Sequence, residues 1–82
     1  MNIPDGDHRL PEKWAHWLAG QPETGMGYQV VDVTLSDGSI IRDVAVVQSE
    51  LIAEVRGHES IPFDPTLVID MRLTHNRWQF RR

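Results

Sequence analysis

Two strand-like runs joined at Ser36-Asp37-Gly38 limit what this chain can become more than any other feature. From Tyr28 to Leu35, Val31, Val33 and Leu35 point to one face and Asp32 and Thr34 to the other, the period of a strand half-buried in a sheet. Glycine accepts the positive φ of a tight hairpin, so Ser39 to Val47 is expected to return antiparallel. With a two-residue Asp37-Gly38 loop, Asp32 would face Asp43, a repulsive pair. With a three-residue loop ending in Gly38 it faces Arg42, and this register is the expected one. The apolar phase then moves from Ile41 to Val44 and Val46. That shift places a β-bulge near Arg42-Asp43, a device that bends a sheet toward a barrel.

The other segments are shorter. Leu10 to Ala19 reads as a helix: Pro11 suits the first helical position, Glu12 complements the helix dipole, and Gly20 can end the helix in a left-handed conformation before Pro22. Leu10, Trp14, Trp17 and Leu18 form one apolar stripe, which predicts that the helix docks on the sheet. Residues 21–27 are a connecting loop. After a turn at Gln48-Ser49, Leu51, Ala53 and Val55 are expected to share one face of a strand. Residues 57–66 form a loop with Ile61 and Phe63 as anchors and one turn of 3₁₀-helix between Pro62 and Thr66. Leu67 to Thr74 reads as a strand with Leu67, Ile69, Met71 and Leu73 inward and Val68, Asp70, Arg72 and Thr74 outward. Trp78 and Phe80, alternating with Arg77, Gln79 and Arg81, allow a short last strand.

These elements predict a mainly β fold: a small antiparallel meander curled into a partly open barrel, with a short N-terminal helix. Residues 1–9 read as a loose segment and 10–82 as one domain, with the helix at 10–19. The element order, with a 3₁₀ turn before the last strands, resembles small barrels of the Src-homology-3 type. Val33-Thr34-Leu35-Ser36-Asp37-Gly38 is similar to the first hairpin of Sm-like RNA-binding barrels. No family is assigned on these likenesses.

With 82 residues, one core is feasible and a second is not. Apolar residues at 40% and charged residues at 24% are globular composition, not that of a disordered chain. The absence of cysteine excludes thiolate catalysis, disulfides and Cys-ligated metal. The first residues carry no signal-peptide pattern and no run is long enough to span a bilayer, so a cytoplasmic location is expected. Eight basic and twelve acidic residues give 8 − 12 = −4, which opposes non-specific attraction to nucleic acid or anionic membrane.

The candidate sites are few. Arg72, His75, Arg77, Trp78, Phe80, Arg81 and Arg82 interleave cations with aromatics, the pattern that pairs with phosphates and stacks on bases in single-stranded nucleic acid; closing the core and coating its surface is the plainer use. His8, His16, His58 and His75 lack the spacing of a local metal site, although His58, Glu59 and His75 could converge. Asp32, Asp43 and Asp70 could form paired carboxylates, but Arg42 and Arg72 beside them suit surface ion pairs better. Ser36, Ser39, Ser49 and Ser60 have no nucleophile-elbow context, and Gly25-Met26-Gly27 is too short to cradle phosphate. Trp14, Trp17 and Tyr28 are large for so small a domain, and tryptophan is enriched at interfaces.

The function expected is therefore a non-enzymatic protein-interaction or self-association module. It needs no cofactor, metal or small-molecule substrate, and its surface is drawn from Trp14, Trp17, Tyr28, Arg72, His75, Arg77, Trp78 and Arg81. Nucleic-acid binding through the C-terminal arginines is the alternative, and a small enzyme or metal site is a more remote one.

Overall fold

The computed structural model describes residues 8–74, 76 and 77. Its fold is mainly β. A helix, α1 (Glu12–Ala19), precedes four strands, β1 (Tyr28–Leu35), β2 (Ile40–Val47), β3 (Leu51–Val55) and β4 (Val68–Thr74), with a 3₁₀ turn (Pro65–Leu67) before β4. The strands form one antiparallel sheet in the order β3-β2-β1-β4, and among the described residues it does not close.

The first hairpin has the expected register. Thr34 pairs with Ile40 and Val33 with Ile41, leaving the three-residue loop 36–38 with Gly38 at φ 91°. Between Val31 and Val33 the pairing shifts, so Arg42 and Asp43 together oppose Asp32. Asp43 sits at φ 57°, and its N–H donates to Asp32 Oδ1 at 3.1 Å while Arg42 Nη1 reaches Asp32 Oδ2 at 3.3 Å. One carboxylate thus holds both residues of the bulge. The core lies on the face of Val31, Val33, Val44 and Val46. It is filled by Leu10, Leu18, Ile52, Val55, Phe63, Val68 and Met71, with Trp14, Ile41 and Ile61 packed against it.

Two further bulges overturn two expected strand faces. On β3, Ala45 pairs with Glu54 and Val46 with Ile52, which leaves Ala53 as the extra residue. Ile52 and Val55 therefore enter the core, in place of the expected Leu51, Ala53 and Val55 row. On β4, Leu35 pairs with Val68 and Thr34 with Asp70, leaving Ile69 as the extra residue. Val68 is buried, whereas Leu67 and Ile69, expected inward, are 46% and 57% exposed. A bulge removes one residue from the alternation, so a period-two reading fails beyond it.

The helix differs at both ends. It begins at Glu12, two residues inside the expected 10–19 span, with Pro11 as its extended cap. Gly20 has φ −91°, not a left-handed conformation, and its N–H closes a tighter turn onto the Trp17 carbonyl at 3.2 Å. His8 and Arg9, which the sequence pattern leaves in the loose segment, lie against β3. Leu10 N–H donates to the Glu50 carbonyl, and Ile52 N–H to that of His8. The last strand anticipated around Trp78 and Phe80 lies outside the described residues.

Candidate functional site

Among the described residues, the outer edge of β4 pairs with no other strand. Leu35 N–H bonds across to the Ser39 carbonyl, so the odd-numbered residues of β1 bond toward β2 and the even-numbered ones toward β4. Asp32 stands opposite Arg72, and Thr34 opposite Asp70. Arg72 and Asp70 therefore turn their backbone groups to β1, and Met71 and Leu73 turn theirs outward. The start of that outer edge is stopped by Trp14, whose Nε1 donates to the Val68 carbonyl at 3.3 Å. At the far end Thr24 Oγ1 accepts from Val30 N–H at 2.9 Å and donates to the Thr74 carbonyl at 3.1 Å, locking the last β1–β4 pair.

Of the described members of the predicted interaction set, Arg72 lies on this strand, Trp14 and Trp17 on α1, Tyr28 at the start of β1, and Arg77 after the end of β4. Trp14 is half-buried under Lys13, and Trp17 meets it edge-on with ring centroids 6.3 Å apart and is 36% exposed. Arg72 is exposed at mid-strand, with no carboxylate within ion-pair distance among the described residues. Arg77 Nε donates to the Thr24 carbonyl at 2.8 Å beyond the strand's end. Tyr28 is half-buried at the start of β1, its ring close over Gly25. His75, Trp78 and Arg81, with Phe80 and Arg82, lie outside the described residues.

The other candidates resolve into structural roles or a shallow cleft. Asp32 holds the bulge, and Asp43 pairs with Arg56 at 3.6 Å and accepts from Asn76 at 3.4 Å. The Ser39 hydroxyl and N–H hold Asp37 below the usual aspartate range, and the Thr66 N–H and hydroxyl do the same to Asp64. His58 and Glu59 meet His8 and Glu54 around an open cleft of about 320 Å³ floored by Ile52 and Ile61. Among the described residues no three His, Asp or Glu side chains are arranged to hold a metal ion. Among them, too, no helix is long and apolar enough to cross a membrane.

Sequence patterning missed two buried polar residues that set the site's surroundings. Thr24 is the wedge described above. Gln29, on the core face of β1, donates from Nε2 to the carbonyls of Leu18 at 2.8 Å, Gln21 at 3.2 Å and Pro22 at 3.4 Å, and accepts from Ser49 Oγ at 3.3 Å. It ties the end of α1 and the following loop to the sheet. Its only signal in the sequence is a polar side chain heading an apolar row. No family model, curated protein or solved structure matches this chain.

Proposed function

We propose that this domain is a non-enzymatic protein-interaction module that receives an extended segment of a partner along the outer edge of β4. The observation that carries the reading is the outward-turned backbone of Met71 and Leu73 on an edge that no described strand covers. Such an edge is a template for strand addition: main-chain hydrogen bonds supply affinity and neighbouring side chains select the partner. Exposed Leu67 and Ile69 offer apolar contacts beside it, and Trp17 stands next to the tryptophan that stops the edge. The three bulges support a sheet curled as in a partly open, Src-homology-3-like barrel. The cysteine-free chain suits a reducing, cytoplasmic setting.

The test is an amide-resolved NMR titration with extended peptides, beside a pool of short single-stranded oligonucleotides at low and high salt. The reading predicts peptide-induced shifts largest at Met71 and Leu73. Salt-sensitive oligonucleotide shifts centred on Arg72 and Arg77, with none from peptides, would replace it with nucleic-acid binding.

A further inference from the structure

Resting on that reading, we propose that the strand added to the edge of β4 is β4 of a second copy of this chain, paired antiparallel about a two-fold axis at Met71. The inference comes from the order of side chains along the strand. An isologous contact must be self-complementary, because each residue meets the same surface with its direction reversed. In an antiparallel pair centred on Met71, residue 70 stands opposite residue 72 of the other copy, and 69 opposite 73. Asp70 then faces the partner's Arg72, and Arg72 faces the partner's Asp70, which makes two opposite-charge cross-strand pairs from one sequence.

Three features of the single copy fit this register. The backbone groups of Met71 point outward, so Met71 and the partner's Met71 would exchange both main-chain hydrogen bonds as the central pair on the two-fold axis. Asp70 and Arg72 are both exposed, and neither has an ion-pair partner among the described residues, in contrast to Asp32, Asp43 and Glu50. They also sit on the same face, since Thr34 and Asp32 opposite them share a face of β1. Trp14 blocks pairing beyond Val68, which confines the contact to residues 69–73. Moving the centre by one residue in either direction, to Asp70 or Arg72, would set like charges against each other across the axis.

Charge reversal tests this register. Sedimentation velocity on the 9.4 kDa chain should show a species of twice that mass forming with concentration. Asp70→Arg sets a cation opposite the partner's Arg72, and Arg72→Asp sets an anion opposite the partner's Asp70. Each should weaken dimerisation more than about tenfold, because like charges meet at the centre of the contact. The double variant, carrying both Asp70→Arg and Arg72→Asp, restores opposite pairs and should restore the dimer, an outcome that a merely structural role for either residue would not give. A wild type that remains monomeric at millimolar concentration overturns the inference, as does a dimer indifferent to the single reversals or lost in the double variant. If the wild type stays monomeric but extended peptides still shift Met71 and Leu73, strand addition at this edge stands and only the second copy is excluded.

Discussion

Replacing Gln29 should cost this domain a large part of its stability, although the sequence marks the residue only as a polar side chain heading an apolar row. Its side-chain amide has two hydrogens and spends them on the Leu18 and Gln21 carbonyls, with Pro22 sharing at longer range. In Gln29→Ala those bonds disappear at a site only 2% exposed. Two hydrogen bonds, one buried and one partly buried, at about 1 kcal/mol each, with an added penalty for stranded carbonyls and the vacated volume, give about 2–4 kcal/mol. A domain of this size holds roughly 4–12 kcal/mol in total, so the melting temperature should fall by about 10–30 °C. Gln29→Glu sharpens the reasoning. A carboxylate there would face three carbonyl oxygens in a buried site, so its folded pKa would be raised above the unfolded value. The sign follows: the penalty is absent below the unfolded pKa and grows as pH rises through the folded one. Thermal unfolding followed by circular dichroism between pH 4 and pH 8 reads both variants. An alanine variant losing less than about 0.5 kcal/mol, or a glutamate variant with a wild-type pH profile, would refute the clamp.

Three further outcomes are expected. Ile69→Ala should cost less than about 1 kcal/mol and Met71→Ala about 2–5 kcal/mol in urea unfolding, because the bulge exposes the first residue while the second fills the core; equal costs would mean the register is wrong. Gly25→Ala should destabilise by about 1–3 kcal/mol, since a Cβ there would overlap the Tyr28 ring, and the loss should shrink in the background of Tyr28→Ala when the double-mutant cycle is measured. Asp64 is held below the usual aspartate range by the Thr66 N–H and hydroxyl, so its contribution is complete above the ordinary aspartate pKa and is lost as pH falls through the lowered one. Asp64→Asn should therefore flatten the acid side of the stability curve and leave its shape near neutrality unchanged.

The elements that were legible from sequence share one property: local chemistry determines them. The Gly38 turn, the Asp32–Arg42 register and the bulge at Asp43 follow from φ preference, charge pairing and the apolar phase switch within one hairpin. The bulges at Ala53 and Ile69 carry no such local mark. Ile69 belongs to an unbroken apolar alternation in the sequence, and only the pairing of Val68 with Leu35 and of Asp70 with Thr34 shows that it is the extra residue. The candidate site divides the same way. Trp14, Trp17, Arg72 and Arg77 stand out by residue type; Arg72 lies on β4 and Trp14 bonds to Val68 at its start, while Trp17 meets Trp14 and Arg77 reaches Thr24. That no described strand covers the edge of β4 depends on strand order, which one strand's pattern cannot express, and Gln29 and Thr24 act on partners outside their own strand or turn.

The most direct test of the central claim is amide hydrogen exchange along β4 at low and high protein concentration. Asp70 and Arg72, bonded to β1, should be protected at both. Met71 and Leu73 should exchange freely in dilute solution and gain protection as concentration rises. Protection of Met71 and Leu73 equal to that of Arg72 in dilute solution would show that the chain already covers this edge, and would contradict the account.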